Sequence, residues 1–400
     1  MQAISNRRWW FFWVLSRIAV VALALRNPWT QGDPQYYFEE LSSGETLALG
    51  EYPAVAVWPL RLLFLLSKDN QTAFIVLFSI MCLSVDALMF HLVLRHATSA
   101  GPKAFWIATG VLMPEVLLWR FDILPGVFVG MAALFGYRKR SAILLATAAM
   151  MKLWPFALIP AIGGRLYSRA TRMQIATFLS TVAILGLLTI ATGGFARLLS
   201  PFDYQGARGL QIESVAATPL MLGALFSPER YRVEYAASKS FEITGPGDTA
   251  MQLVSSLLML GCAILVLWWL WSVLREGVRS QELQVAWMIL VLLVLLCANK
   301  VLSPQYLLWL APLVVVGYLL QSRGTAKTLA LLCLLCQACT TLVYPMTYDR
   351  IDHVPFDGAF AAVMLVLRNL LLVAMVVVAA VHLRQQRARG LDRDRLGAHA

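Results

Sequence analysis

The chain has 400 residues, 59% of them hydrophobic and only 14% charged, with a mean hydropathy of +0.69. A soluble domain is nearer half apolar and a quarter charged, so the composition excludes one and indicates an all-α, multi-pass membrane protein. The net charge of +11 would suit nucleic acid, but the basic residues are distributed by membrane topology, and no nucleic-acid partner is needed.

A bilayer crossing takes about 17–25 apolar residues. The first, 9–25, follows Arg7-Arg8 without a convincing small-residue cleavage site, so it reads as a retained helix. Arg17 lies about 12 Å into it at 1.5 Å per residue. The external loop 26–52 carries Asp33, Glu39, Glu40, Glu45 and Glu51, and contains Gly32-Asp33-Pro34-Gln35-Tyr36-Tyr37. Two readings of Asp33 stand side by side. Aspartate followed by proline is a helix-start signal, with the carboxylate as N-cap. A carboxylate beside two aromatic rings at a membrane surface is also suited to activating a hydroxyl next to a lipid-linked donor. Segment 53–67 is interrupted by Pro53, Pro59 and Arg61, and the charge pattern puts both its ends outside.

Crossing 72–94 carries Asp86 at the depth of Arg17, and an ion pair between them would remove two unpaired buried charges. Crossings 104–119 and 123–137 flank the turn Trp119-Arg120-Phe121-Asp122, with Glu115 just before it. Segment 141–163 is broken at Lys152-Leu153-Trp154-Pro155 and has basic residues on both flanks. Proline removes a helix hydrogen bond, so this stretch reads as a re-entrant hairpin. Such breaks are tolerated at membrane depth only where they are buried or line a cavity, which makes Lys152 a candidate cavity residue.

Crossing 173–192 leads into the longest polar region, 193–249. It contains Tyr204–Ser214, with Arg208 and Glu213, and an apolar piece, 215–226, expected along the membrane surface. Crossings 250–274 and 283–298 follow. The stretch Asn299 to Tyr306, with Lys300 and Gln305, leads into 304–320, and 326–343 comes next. External loop 344–357 carries Asp349, Arg350, Asp352, His353 and Asp357. The last crossing is 358–383; Arg368 lies nearer its outer face, and His91 earlier has no evident partner. The expectation is a single transmembrane domain over 1–383, of about 10–13 transmembrane or re-entrant helices, and a basic tail, 384–400.

With both termini in the cytoplasm, the basic clusters fall on the inner side: Arg7-Arg8, Arg95 with Lys103, Arg138-Lys139-Arg140, Arg165/Arg169/Arg172, Arg275/Arg279, Arg323/Lys327 and the tail. Glu276, Glu282, Asp392 and Asp394 are the acids of that side, in keeping with the positive-inside rule. The cysteines lie in apolar segments. Cys333, Cys336 and Cys339 have the spacing of a metal motif, but on a helix they drift round the surface without a histidine or acid, and read as packing residues.

Asp33, Glu115, Arg120, Asp122, Lys152, Arg208, Glu213 and Lys300 all fall at the outer side. A charge at the bilayer centre costs roughly 2.5–3.5 kcal/mol and marks a functional hypothesis; several on one face suggest a shared polar pocket. The Asp33 loop, the Arg120-Phe121-Asp122 turn, the Lys152 break, Arg208–Ser214 and Lys300–Tyr306 together resemble glycosyltransferase family 87, over roughly residues 9–380. This family of GT-C membrane enzymes uses polyprenyl-phosphate mannose. The resemblance implies a GT-C-type bundle in the plasma membrane, an extracytoplasmic site, and a catalytic aspartate in the first external loop, here Asp33.

The expected chemistry is transfer of mannose, with inversion, to a glycolipid or lipoglycan hydroxyl, and Asp33 as general base. Arg208, Lys152, Lys300 and Arg120 are the candidate cations for the leaving phosphate. Tyr36, Tyr37, Asp122, Trp154, Glu213 and Gln305 are candidate substrate contacts. No cofactor or metal is expected, and no glycine-rich nucleotide loop occurs. Two alternatives remain open: transfer of another polyprenyl-linked sugar such as arabinofuranose, and a transporter or flippase of lipid-linked sugars, which a broken hairpin with cavity charges would also suit.

Overall fold

The computed structural model describes residues 5–45, 47–203, 208–236, 239–278 and 280–397, with the backbone alone described at 202–203 and 390–397. Arg279 and the Tyr204–Ala207 part of the predicted polar stretch lie outside these residues. The chain forms helices α1 (Asn6–Ala24), α2 (Gly32–Ser42), α3 (Ala54–Ser67), α4 (Gln71–His96), α5 (Ala100–Leu112), α6 (Pro114–Trp119), α7 (Ile123–Phe135) and α8 (Lys139–Met151). A 3₁₀ segment, Trp154–Ile162, precedes α9 (Arg169–Asp203) and α10 (Thr218–Phe226). A hairpin of β1 (Arg232–Tyr235) and β2 (Phe241–Thr244) precedes α11 (Asp248–Glu276), α12 (Gln281–Ala298), α13 (Leu307–Leu320), α14 (Thr325–Val343) and α15 (Phe360–Gly397).

Among the described residues, six helices (α4, α9, α11, α12, α14 and α15) are long and apolar enough to cross a membrane. The protein is an all-α polytopic membrane protein. Helix α1 is followed, after a 99° bend, by the segment that includes α2. The expected crossing 104–119 is two pieces: Met113 leaves the helical region (φ −136°, ψ 56°) and Pro114 starts α6, because the residue before proline is pushed out of the α conformation. The expected crossing 123–137 is the 13-residue α7, about 20 Å long against a hydrocarbon core of about 30 Å.

Short helices are tolerated here because they are buried in protein. Helices α7, α12 and α13 form the centre of the bundle, with most of their side chains inaccessible. Helices α9 and α11 are largely exposed, as suits lipid-facing positions. Gly126 and Gly130 let α7 lie directly on α13: a Cβ at Gly126 would stand 2.2 Å from the Leu308 carbonyl oxygen.

The break at Lys152 turns the chain back on itself, as a hairpin does. Before it, Tyr137 hydrogen-bonds Thr171 at 2.7 Å, and after it Gly164 packs against the same two side chains. The chain therefore returns to the end from which α8 set out. That end gathers the basic turns: Arg95 with Arg138 and Arg140, Arg165 with the Glu276 carbonyl, and Ser99 with Ser322. Lys152 lies at the opposite end.

The expected Arg17–Asp86 pair forms with two contacts of 2.7 Å, both side chains being almost wholly buried. Trp13 Nε1 also donates to Asp86 at 2.9 Å. This satisfies the remaining acceptor capacity, as a buried pair requires.

Outside the bundle, the hairpin and α10 pack over the ends of α14 and α15 in a second apolar cluster that includes Leu210, Ile212, Leu220, Ile243 and Leu365. The piece 215–226 is thus seated by Leu220, Met221 and Ala224 rather than lying free along the surface. Ile212 donates to the Phe241 carbonyl, and Ile243 donates to the Leu210 carbonyl. Gln211 reaches across to the loop after α12, donating through its amide to the Lys300 carbonyl and accepting from Leu302.

Candidate functional site

A cavity of about 520 Å³ lies at the end of the bundle away from the basic turns. The elements that end there supply its walls. Asp33 and Tyr36 come from the first turns of α2, and Tyr52 and Glu51 from the loop before α3. Lys152 and Trp154 come from the re-entrant break, Arg208 from the loop after α9, and Lys239 from the hairpin turn. Lys300 and Gln305 lie between α12 and α13, and Tyr306 and Trp309 at the start of α13.

Asp33 does not cap α2. The helix begins at Gly32, so Asp33 lies in its first turn, with no side-chain capping bond. Its carboxylate is held instead by the Arg120 guanidinium on Oδ1 and, at 3.4 Å, by the Tyr37 hydroxyl on Oδ2. The Asp33 side chain keeps 30% of its surface open, against 11% for Arg120. Arg120 is also bonded by the Tyr344 hydroxyl, and its guanidinium lies 5.4 Å from the centre of that ring. The Tyr37 and Tyr52 hydroxyls are 3.0 Å apart. Burial pushes the Tyr52 phenol up, against the opposing pull of Lys152, and burial likewise raises Tyr344 against Arg120; both act as neutral phenols.

A second ion pair lies beside the first. Lys152 Nζ is 3.0 Å from Asp122 Oδ1, and Trp309 Nε1 donates to the same oxygen at 2.7 Å. Lys152 also stands 5.2 Å from the Tyr52 ring centre and 5.8 Å from that of Trp309. Three rings stack along one wall: Tyr306 on Trp309 at 3.8 Å, and Trp309 on Trp154 at 5.0 Å with 14° between the planes. The outer faces of such a stack suit the apolar faces of sugar rings. The buried Trp154 Nε1 and Arg208 Nε have no hydrogen-bond partner among the described residues. A buried donor left unpaired costs about 1–3 kcal/mol, and both residues line the cavity.

The charges in the lining are mostly cationic. Lys152, Arg208, Lys239 and Lys300 face Asp33 and Glu51. Glu51 accepts from the Tyr36 hydroxyl at 2.8 Å, and Lys239 lies 3.8 Å above the Tyr36 ring. Arg208 and Lys300 have no acidic partner among the described residues. The remaining wall, with Ala157, Met259, Leu295 and Leu296, is apolar.

Of the residues expected from sequence, Asp33, Tyr36, Lys152, Trp154, Arg208, Lys300 and Gln305 share this cavity. Arg120, Tyr37 and Asp122 stand behind its wall, each bonded to a residue in it. Glu213 is placed elsewhere. Its carboxylate meets Arg368 at 2.9 Å with both side chains buried, and this gives Arg368 the partner that the sequence did not reveal. Burial raises the Glu213 carboxyl, with Arg368 opposing the shift. Sequence reasoning missed Tyr52, Lys239, Tyr306, Trp309 and Tyr344. Trp309 stands three residues after Tyr306, the spacing that aligns two rings on one helical face, and that signal was available.

No protein-family model, curated protein or solved structure matches the chain. The fold defines a multi-pass helical membrane protein, and the cavity at one end of its bundle gathers the candidate functional residues. Among the described residues, no three histidine, cysteine, aspartate or glutamate side chains gather as a metal-ligand set.

Proposed function

We propose that this protein is a membrane glycosyltransferase of the GT-C type, moving mannose from polyprenyl-phosphate mannose to a glycolipid or lipoglycan hydroxyl at the extracytoplasmic face. The observation that carries the reading is one cavity containing an oriented carboxylate, Asp33, two cations without acidic partners among the described residues, Arg208 and Lys300, and an aromatic wall. The likeness of its motifs to glycosyltransferase family 87 supports the same class and supplies the identity of the sugar.

In this mechanism Asp33 takes the proton of the acceptor hydroxyl while that oxygen bonds to the anomeric carbon. The bond from that carbon to the phosphate oxygen breaks on the opposite face, so the configuration inverts. Polyprenyl phosphate leaves with one more negative charge, which Arg208 and Lys300 stabilise, with Lys152 beside them. Arg120 holds Asp33 aimed through one carboxylate oxygen, and Tyr37 fixes the other. The stacked Tyr306, Trp309 and Trp154 receive the sugar, and the apolar wall receives the first part of the lipid.

The test is transfer of labelled mannose from synthetic polyprenyl-phosphate mannose to a mixed glycolipid fraction, by purified wild type and by Asp33→Asn. Transfer by the wild type, reduced roughly 10²–10⁴-fold in the folded variant, is expected for a general base. Equal transfer by both proteins overturns the role of Asp33. Transfer from an arabinofuranosyl donor instead reassigns the sugar. Absence of transfer with every lipid-linked donor, accompanied by flipping of such a lipid across proteoliposomes, replaces the enzyme with a transporter.

A further inference from the structure

The end of the bundle opposite the cavity carries a second concave site, of about 550 Å³, lined by Arg95 and His96 at the end of α4, Arg138 and Arg140 in the turn into α8, and Gln281 at the start of α12. We infer that Arg95, Arg138 and Arg140 form a binding site for a phosphate whose charge no attached cation neutralises, presented by an anionic phospholipid headgroup or by free phosphate.

A basic turn at a membrane surface is expected of any multi-pass protein. This one differs in three respects. First, its guanidinium groups come from two separate turns and converge on one cleft whose lining contains no carboxylate. None of the three arginines forms an ion pair among the described residues, whereas the neighbouring cleft around Arg165 contains Glu276. Like charges held together without a counter-ion repel one another, and an anion between them relieves that cost.

Second, the turn is fixed. Gly136 takes a positive φ of 64°, and Arg138 donates to its carbonyl at 2.8 Å. The Gln281 side-chain amide donates to the carbonyls of Ala133 and Leu134 at 2.8 and 2.7 Å. These bonds tie the turn to α12, so Arg138 and Arg140 are presented from a rigid frame.

Third, the floor is apolar, formed by Leu92, Leu134 and Phe135, and the Arg140 guanidinium stacks 4.1 Å from the Phe135 ring centre. Stacking orients the planar guanidinium, whose fork of donors matches two phosphate oxygens at once. Cations over an apolar floor suit a headgroup whose acyl chains continue into the bilayer.

The test uses the delipidated full-length protein in detergent, with native mass spectrometry after addition of phosphatidylglycerol or phosphatidylcholine. Wild type is expected to retain phosphatidylglycerol in preference to phosphatidylcholine. The combined Arg95→Gln, Arg138→Gln, Arg140→Gln variant is expected to lose that preference by tenfold or more, since each basic residue at a lipid surface contributes roughly fivefold. Arg138→Gln alone should fall between them, and all three proteins should melt alike in phosphatidylcholine because the changed side chains are exposed. Excess inorganic phosphate that displaces the lipid from wild type assigns the site to phosphate as such; lipid retained against it assigns the site to headgroup and chains together. Equal retention of the two lipids by wild type, or undiminished preference in the triple variant, overturns the inference.

Discussion

Asp122 and Lys152 meet at 3.0 Å from the start of α7 and the break after α8. Their pairing holds the tip of the re-entrant hairpin against the turn that also carries Arg120. One contact therefore fixes both the depth of the cavity and the position of the cation behind Asp33. The aspartate is only 1% exposed, so its charge has no access to water if the lysine is lost.

This gives a stability prediction. Lys152→Met leaves a buried carboxylate whose remaining neutral donor is Trp309. Breaking a buried pair from one side costs roughly 3–5 kcal/mol, and a loss of that order is expected in chemical unfolding of the detergent-solubilised protein. Adding Asp122→Asn removes the stranded charge and should recover more than half of the loss. A single variant within about 1 kcal/mol of wild type, the range of exposed pairs, would show that the pair is solvated.

Arg120 and Arg208 are predicted to fail in different ways. Arg120 touches Asp33 and Tyr344 but does not line the cavity, whereas Arg208 lines it, its Nε without a partner among the described residues. Under the proposed reaction, Arg120→Lys should lower kcat roughly 10- to 100-fold, as lysine lacks the planar fork that orients a carboxylate, with little change in KM for the donor. Arg208→Gln should raise the donor KM and also lower kcat, because it meets both the bound phosphate and its growing charge. A donor KM that rises for Arg120→Lys and stays constant for Arg208→Gln would reverse the two assignments.

The Arg17–Asp86 pair is predicted to be structural. Arg17→Met should destabilise the protein by roughly 3–5 kcal/mol, while Arg17→Met with Asp86→Leu should lie close to wild type or above it. Transfer activity of the folded double variant should be unchanged, since the pair is packed among Trp13, Trp106 and Ile107 and not in the cavity. Loss of activity in a double variant of normal melting temperature would give these residues a functional role.

The legible and the hidden parts of the fold separate by physical cause. Arg17 and Asp86 could be paired from sequence because a charge in an apolar helix needs a partner and helical rise gives its depth. The Lys152 hairpin could be read because Pro155 breaks the helix and basic residues flank both ends. The short helices could not: α7 is apolar enough to look like a crossing, and only its burial against α13 permits a length of 13 residues. Tyr52 was hidden because an aromatic residue at a membrane surface is an ordinary anchor, and its hydroxyl contact with Tyr37 depends on tertiary placement. Glu213 shares its loop with Arg208, yet the fold turns the glutamate toward Arg368 and leaves the arginine in the cavity.

The contact of α7 with α13 yields the last prediction. Gly126 and Gly130 are four residues apart, the small-xxx-small spacing that lets helices approach closely in a membrane. A Cβ at Gly126 would meet the Leu308 carbonyl oxygen at 2.2 Å, and one at Gly130 would meet Pro312 Cβ at 2.6 Å. A carbonyl in a helix backbone cannot swing aside as a flexible side chain does, so the helices must separate. Gly126→Ala is therefore expected to cost about 1–3 kcal/mol as overpacking, despite the better helix propensity of alanine. Gly186→Ala in α9 is the control: nothing lies within 4 Å of its Cβ, and propensity alone predicts a gain of up to about 1 kcal/mol. Because α13 carries Trp309 and α7 begins beside Asp122, separation at Gly126 should also disturb the Trp309–Asp122 bond and lower transfer activity under the proposed reaction. Melting temperatures that rise for both variants would show that α7 and α13 are not in close backbone contact.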